Sequence, residues 1–511
     1  MATLTLDGIS LRIDDLAPVL RGERVALRIS PAALLRVRSA RELVERSIDS
    51  GKPIYGLTTG FGKLKNVAID RADLGRLQEN LVLSHCCGMG EPMPSGEVRA
   101  VQVLRLNKLL RGHSGVRPEL IETLVRFFER GFVPLVPQQG SVGASGDLAP
   151  LAHMAAAYMG HGEASVGGKR MGASAALRMI HEPALELEAK EGLSLINGTE
   201  VIGAIGAGVF LRASNLSKCA DAIAALTIEA LFGSSKPFDP RLAELKGLAG
   251  HARTAENVRR CLADSRVLAS HVDCDRVQDP YSLRCVPQVH GAFKEALEHV
   301  GKVLAAEMNS VTDNPVLFPD TGEVISAGQF HGQPLSMVLD YLALALCTLA
   351  NISERRTEQL VNPDLSHLPG FLAAKPGLHS GLMIAQVAAA ALASENKSLA
   401  HPASVDSIPT SANQEDHVSM GVTAARKARS IVTNAEHVLA IELLCAAQAR
   451  EFHPEFRAGK GAQAVQEAVR TRVPPLEQDR YLHADLVAAH ELIVSGELVR
   501  AVEAAAGPLL A

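Results

Sequence analysis

The chain has 511 residues, of which 47% are hydrophobic and 21% are charged, the composition of an ordinary globular protein. Its formal net charge of -5 gives no basic surface for a nucleic-acid backbone or an anionic membrane. No secretory signal is recognisable, and the apolar runs are interrupted before they reach a membrane span, for example by Asp340 within 335–352. We therefore expect a cytoplasmic protein with neither a nucleic-acid nor a membrane partner.

The cysteines are scattered along the chain and form no CxxC pair, which predicts reduced thiols and not a disulfide framework or a zinc site. The spacing of His271, Asp273 and Asp275 is that of a local polar loop, so no metal ion is predicted. The eight cysteines are Cys86, Cys87, Cys219, Cys261, Cys274, Cys285, Cys347 and Cys445.

In chain order, the alternation typical of β-strands is confined mainly to residues 4–13 and 323–326, whereas the longer periodic segments are helical. These helices are apolar around most of their circumference, which predicts central burial or packing against other subunits. We expect one mainly α unit over residues 1–511, with a smaller loop-rich N-terminal part (1–200) and a long helical bundle with C-terminal helices (201–511). The predicted long helices are 288–310, 334–361, 380–401 and 421–450.

Glycine-rich and polar stretches separate the helices, and functional residues are commonly found on such loops. Seven of them have a side-chain content too specific for simple turns. They are residues 55–62, 84–85, 140–150, 197–199, 277–288, 328–334 and 410–420.

The stretch 140–150, Gly-Ser-Val-Gly-Ala-Ser-Gly-Asp-Leu-Ala-Pro, has several interpretations. Asp147 stands where a nucleophile elbow needs its last glycine, and a phosphate loop would need a Gly-Lys-Ser/Thr ending. A plain loop with Asp147 capping the next helix stays open. So does self-condensation, because the Gly146 nitrogen can approach the carbonyl of the small Ala144 closely. Ring closure with loss of the Ser145 hydroxyl would leave an exocyclic methylene, an electrophile that ordinary side chains do not provide.

Residues 143–153, Gly-Ala-Ser-Gly-Asp-Leu-Ala-Pro-Leu-Ala-His, resemble the signature of the histidine and aromatic amino acid ammonia-lyases. The resemblance extends from Tyr55 to residues 479–480. It implies that Ala144, Ser145 and Gly146 form 4-methylidene-imidazole-5-one autocatalytically, without an external cofactor. It also implies a homotetramer whose active sites are shared between subunits.

The same resemblance implies roles for other residues. Tyr55 matches the catalytic tyrosine that removes the β-proton, and because a phenol is a weak base at neutral pH we expect neighbours to lower its pKa. Arg284 matches the arginine that binds the substrate carboxylate, a task suited to a two-pronged donor. Gln278 and Tyr281 match residues that line the prosthetic group and stabilise charge on its oxygen. Asn197 matches an asparagine near the carboxylate and the ring.

Phe330 matches the phenylalanine that contacts the ring. Elsewhere near the expected site, this sequence departs from the family pattern at two places. Gln329 stands where asparagine is usual, and Cys86-Cys87 stand where small alanines are usual, so we expect these thiols to be sensitive to oxidation. Cys274 matches a cysteine beside the pocket and is a candidate modification site.

The substrate is expected to be determined by His85 and Glu415. A bound imidazole has two nitrogens that need partners, and a histidine and a carboxylate provide them, whereas an apolar phenyl ring would leave Glu415 desolvated and unpaired. Residues 414–420, Gln-Glu-Asp-His-Val-Ser-Met, resemble the histidine-specific members of the family. We expect elimination of ammonia from L-histidine to give trans-urocanate. An aminomutase, a lyase of another aromatic amino acid and an inactive helical assembly remain the alternatives.

Overall fold

The computed structural model describes residues 2–51, 54–60, 62, 66–272 and 277–511. Helices dominate this part of the chain, and the expected mainly α fold is confirmed. The α-helices are Ala17–Leu20, Pro31–Asp49, Leu74–His85, Ser95–Leu109, Pro118–Glu129, Leu148–Tyr158, Ala173–Met179, Glu191–Ile196, Glu200–Ala230, Pro240–Lys246, Ala249–Cys261, Arg266–Ser270, Tyr281–Arg284, Val286–Met308, Gln333–Val361, Pro363–Ser366, Met383–Leu399, Gly421–Arg450, Lys460–Arg470, His483–Val494 and Glu497–Ala506.

All four long helices predicted from periodicity are present, and their ends differ from the predicted ends by three residues at most. Pro287 and Pro334 occupy the second position of the helices Val286–Met308 and Gln333–Val361. Proline is tolerated there because its missing N–H would have no partner within the helix. The helix Glu200–Ala230 was not among the predictions, although it has 31 residues.

The strands are short. The predicted strand 4–13 runs only over Ala2–Leu6, because the Asp7 carboxylate accepts hydrogen bonds from the backbone of Ile9 and Ser10 and turns the chain. The predicted strand 323–326 is confirmed as Glu323–Ile325. The pairs are Ala2–Leu6 with Val25–Ile29 (parallel), Met89–Pro92 with Pro137–Gln139, Phe132–Pro134 with Glu163–Val166, Glu163–Val166 with Lys169–Gly172, and Val316–Phe318 with Glu323–Ile325.

The chain divides into two compact units. Whether they act as the single ammonia-lyase unit expected over residues 1–511 is not tested by this division, and that expectation stays a prediction. The first comprises residues 1–208, 301–340 and 402–426 and contains all the strands named above. In it, the helix Pro31–Asp49 packs its apolar face under the loop that follows Ile54. The buried cluster at this contact consists of Ala40, Leu43, Val44, Leu57 and Leu317.

The second unit comprises residues 209–300, 341–401 and 427–511 and is helical. Its centre contains a fully buried ion pair in which the Arg356 guanidinium donates to both carboxylate oxygens of Glu442, at 2.5 and 2.8 Å. The hydroxyls of Ser353 and Thr227 donate to the same carboxylate at 2.6 and 2.8 Å. With four donors, the buried charge of Glu442 is compensated.

Two helices, Gln333–Val361 and Gly421–Arg450, are long and apolar enough to cross a membrane by length and composition, contrary to the expectation that the apolar runs are too short. The most apolar window of each is 67% and 78% buried inside the protein, as in the core helices of globular proteins. Asp340 does not interrupt its helix, because it is buried and its carboxylate accepts the Ser404 N–H at 2.7 Å.

Candidate active site

A cavity of about 530 Å³ in the first unit collects residues that are far apart in the sequence. Its volume is in the range of small-molecule sites. Five of the residues expected at the site line it, namely Tyr55, Ala144, Ser145, Phe330 and Glu415.

Backbone contacts hold the loop that carries Ala144 and Ser145. The Gly143 carbonyl accepts the Ser419 hydroxyl at 3.1 Å and the Gly332 N–H at 3.3 Å, and the Met420 N–H donates to Val142 at 2.8 Å. Gly143 has a φ of +72°, and a Cβ there would overlap the Ser419 hydroxyl. Glycine is therefore required at this position both by backbone conformation and by space.

Gly146 is constrained in the same way, with a φ of +73° and no room for a Cβ beside the Gly198 carbonyl oxygen. The same carbonyl accepts the Asp147 N–H at 2.7 Å. The Asp147 carboxylate accepts the N–H groups of Val201 and Ile202, so it caps the helix Glu200–Ala230 and not the helix that follows it in sequence. Burial raises the pKa of Asp147 to about 8, although these two N–H groups act in the opposite direction.

The side chains of Ser145 and Glu415 meet in the cavity. The Ser145 hydroxyl donates to Glu415 Oε1 at 2.8 Å, and the Thr410 hydroxyl donates to Glu415 Oε2 at 2.7 Å. Two backbone hydrogen bonds between Thr410 and Glu415 close the turn that carries them. The local turn therefore aims the carboxylate at the middle residue of the triplet.

Tyr55 lies at the same cavity, and its hydroxyl oxygen accepts the Gly62 N–H at 3.4 Å. Burial raises the pKa of Tyr55, and the negative charge of Glu415 raises it further, while the Gly62 N–H lowers it. The expectation of a lowered pKa is therefore wrong for this chain. The same carboxylate that suits an imidazole substrate disfavours a tyrosinate beside it.

Two histidines of the cavity wall were not among the expected site residues. The rings of His331 and His417 stack, with centroids 5.7 Å apart. His331 Nδ1 accepts the Gln333 N–H at 3.3 Å, so a neutral His331 has its proton on Nε2, which lies 3.3 Å from the His417 carbonyl. Both histidines belong to polar stretches named in the sequence analysis, 328–334 and 410–420. Their imidazole side chains could have marked them as candidate site residues.

Asn197 is buried behind the cavity and does not belong to its described lining. Its amide nitrogen donates to the Asn314 carbonyl at 3.3 Å, and Asn314 does line the cavity. The side-chain oxygen of Asn197 has no hydrogen-bond partner among the described residues. Asn314 gave no recognisable signal in the sequence.

His85 ends the helix Leu74–His85 and does not belong to the described lining of the cavity either. Its Nδ1 lies 2.7 Å from the Leu81 carbonyl, so Nδ1 donates and Nε2 of a neutral ring accepts. Burial raises the pKa of the Cys86 thiol to about 11, which disfavours the reactive thiolate, whereas Cys87 is exposed.

Gln278, Tyr281 and Arg284 lie in the second unit. Tyr281 is 70% exposed, and the Arg284 guanidinium lies over its ring at 4.5 Å from the centroid. Gln278 lines a cavity of about 210 Å³ together with Lys236 and His271. The structure therefore does not bring these three residues into the described lining of the 530 Å³ cavity.

Cys274, Asp273 and Asp275 lie outside the described residues. Within the described ranges, no group of three or more His, Cys, Asp or Glu side chains is arranged to hold a metal ion.

The sequence of this chain matches the family model for aromatic amino acid lyases over residues 11–471. The chain belongs to this family of carbon–nitrogen lyases, as the motif in residues 143–153 predicted. It is 50% identical over 502 residues to a histidine ammonia-lyase of Myxococcus xanthus, covering 98% of this chain and 99% of the relative.

Solved structures of both lyases and aminomutases share its fold. A histidine ammonia-lyase from Trypanosoma cruzi superposes with a TM-score of 0.92 at 40% identity, over 99% of this chain and 95% of the neighbour. A tyrosine aminomutase from Streptomyces globisporus superposes with a TM-score of 0.93 at 35% identity, over 99% of both chains. Lyases and aminomutases thus share the fold, so side chains and products must distinguish them.

Proposed function

We propose that this chain eliminates ammonia from L-histidine without oxidation and releases trans-urocanate, the first step of histidine degradation. The observation that carries the proposal is the 2.8 Å hydrogen bond from the Ser145 hydroxyl to Glu415 in a cavity that Tyr55 also lines. It joins the residue that would become the electrophile to the carboxylate suited to an imidazole. The name and 50% identity of the relative from Myxococcus xanthus support the same reaction.

The triplet fits the self-formed group 4-methylidene-imidazole-5-one. Gly146 has a positive φ and no room for a Cβ, so only glycine fits at this position. The Ser145 side chain faces the cavity. Formation joins the Gly146 nitrogen to the Ala144 carbonyl carbon. Two water molecules are lost. The first contains the Ala144 carbonyl oxygen and the amide protons of Gly146 and Ser145, and the second contains the Ser145 hydroxyl and the Ser145 α-proton. No oxidant is needed, and the group supplies an electrophilic carbon for the substrate amine.

Ring formation removes the hydroxyl that Glu415 Oε1 accepts. Among the described residues this oxygen has no other hydrogen-bond donor, so it becomes available to a substrate N–H in the mature site. The Thr410 hydroxyl keeps the carboxylate oriented through its other oxygen. Glu415 would therefore bind the substrate imidazole, and a phenyl ring in its place would leave a charge unpaired.

Tyr55 would remove the β-proton of the substrate. It lies on the same cavity wall as Ser145, so a substrate bound between them can present its β-carbon to the phenol. Because its pKa is raised, Tyr55 acts as a base most effectively at alkaline pH. Phe330 would pack against the ring, and Asn197 would lie near the ring, behind the cavity wall.

The remaining roles are also proposals. Arg284 would bind the substrate carboxylate, Gln278 and Tyr281 would stabilise charge on the ring oxygen, and His85 would contact the imidazole. The exposure of Tyr281 supports active sites completed by residues of other subunits.

We further propose that the protein is a cytoplasmic homotetramer. Exposed apolar side chains on two helices support assembly, because such surfaces are costly in water. They are Met337, Tyr341 and Leu344 on Gln333–Val361, with Ile384 and Val387 on Met383–Leu399.

The decisive experiment is intact mass spectrometry of the purified chain and of Ser145→Ala, followed by incubation with L-histidine. We expect the wild type to lack two water masses and to generate urocanate, seen by its ultraviolet absorbance. Ser145→Ala should keep its full mass and fold and lose turnover by orders of magnitude. An undehydrated, folded wild type, or near-normal turnover by Ser145→Ala, contradicts the proposal.

The aminomutase alternative has support in the high similarity to the tyrosine aminomutase structure. Chromatography of the products separates the two reactions, because an aminomutase returns the amine to the β-carbon of the same substrate. A β-amino acid in place of urocanate and free ammonia would establish the alternative.

A further inference from the structure

Two buried cations lie behind the active-site loop and have no part in the reaction proposed above. Arg105 and Lys108 belong to the helix Ser95–Leu109 and are 1% and 2% exposed. The Arg105 guanidinium donates to the Asn197 carbonyl at 2.9 Å, and the Lys108 ammonium donates to the same carbonyl. Two cations thus converge on one neutral backbone oxygen, although burying each charge is costly.

The Asn197 carbonyl that Arg105 and Lys108 bind is directly followed by Gly198. The carbonyl of Gly198 contacts Gly146, the last residue of the triplet. The Gly198 carbonyl accepts the Asp147 N–H at 2.7 Å and lies so close to the Gly146 Cα that a Cβ would not fit. Gly198 also has a left-handed φ of +148°. The two cations therefore fix the Asn197–Gly198 peptide. This peptide in turn fixes Gly146, whose nitrogen must attack the Ala144 carbonyl carbon.

Glu200 balances part of the positive charge. Its carboxylate accepts the second arm of Arg105 at 2.7 Å and lies 3.6 Å from the Lys108 ammonium. Burial lowers the pKa of Lys108 to about 8, and the charge of Arg105 lowers it while that of Glu200 raises it. Glu200 therefore offsets part of the cost of burying the two cations beside the Asn197 carbonyl.

We propose that Arg105 and Lys108 are positioning residues for the formation of the prosthetic group. By holding the Asn197–Gly198 peptide, they keep the Gly198 carbonyl against Gly146 and Asp147, and so hold Gly146 where its nitrogen can attack the Ala144 carbonyl carbon. The ring closes through the backbone torsions of Ser145, so fixing the position of the next residue restricts the loop and raises the population that can close the ring. The inference rests on the proposed function, because it presumes that the triplet loses two waters.

Lys190 provides a matched control. It is another buried lysine of the same unit, with its ammonium 3.0 Å from the Ser194 hydroxyl and 3.2 Å from the Asp313 carboxylate. It has no hydrogen bond to the Asn197–Gly198 peptide among the described contacts. Replacing Lys190 therefore removes a buried charge, but it leaves the contacts that hold Gly198.

The experiment follows dehydration of the full-length wild type, Lys108→Met and Lys190→Met. Each is made by cell-free synthesis and sampled for intact mass after far-ultraviolet circular dichroism reaches its folded value, and its urea midpoint is measured separately. We expect both variants to have lower midpoints, but only Lys108→Met to lose its two waters at least tenfold more slowly. Lys108→Gln, which keeps a donor without the charge, provides a second test if Lys108→Met does not fold.

Dehydration of the folded Lys108 variants at the wild-type rate would overturn the inference and leave the proposed function intact. Equal slowing in Lys190→Met would also overturn it, because loss of stability alone would then explain the delay. A folded wild type without dehydration would overturn the proposed function itself.

Discussion

Replacing Glu415 by glutamine tests the substrate assignment most directly. The amide has nearly the same shape and keeps a partner in the Thr410 hydroxyl, which donates to Oε2 at 2.7 Å in the wild type. The amide lacks the negative charge of Glu415, whose Oε1 loses its hydrogen-bond donor when the Ser145 hydroxyl is eliminated. The variant therefore alters the contact to the substrate imidazole and changes the local structure little.

The expected loss follows from the strength of one charged hydrogen bond, about 1.5–3 kcal/mol. At about 1.4 kcal/mol for each tenfold change, kcat/KM for histidine should fall about 10- to 150-fold. The free energy of unfolding should change by about 1 kcal/mol or less, because the Thr410 contact persists.

The pH dependence provides a second consequence. Tyr55 must be deprotonated to act as a base, so kcat/KM should rise with pH through its pKa. The nearby negative charge of Glu415 helps to raise that pKa. In Glu415→Gln the rising limb of the pH profile should therefore move to lower pH.

The assay is urocanate formation followed by ultraviolet absorbance across pH, with intact mass as a check that the variant has lost two waters. Asp406→Asn, which removes an exposed carboxylate of the same unit outside the described cavity lining, controls for the change in net charge. If a fully dehydrated Glu415→Gln turns over histidine as fast as the wild type, the assignment of Glu415 to the imidazole is wrong.

Three further predictions concern single positions. Tyr55→Phe should still lose two waters by intact mass but lose most of its turnover; normal urocanate formation would refute its role as the base. Gly146→Ala should remain undehydrated and lose about 1–3 kcal/mol of stability in urea unfolding, because its φ is +73° and its Cβ overlaps the Gly198 carbonyl. Arg356→Met should lower the free energy of unfolding by about 3–5 kcal/mol by leaving Glu442 buried without its cation, and an unchanged urea midpoint would contradict this.

The sequence by itself determined four of the long helices, since apolar periodicity is a local property that tertiary contacts here reinforce, but it did not predict the helix Glu200–Ala230. It also determined the family, because residues 143–153 form a long and specific motif. Five of the expected site residues line one cavity, although they are separated by up to several hundred positions in the chain. The motifs predicted that these residues would meet, whereas the roles assigned to them stay predictions.

The tertiary structure alone decided the electrostatics and the supporting contacts. The pKa of Tyr55 is raised and not lowered because folding buries the phenol beside Glu415, which lies in a remote part of the sequence. Asp147 caps the distant helix Glu200–Ala230 instead of its own. The convergence of Arg105 and Lys108 on one carbonyl has no signature in the sequence either. Burial and distance between remote residues set these properties, and local patterns encode neither.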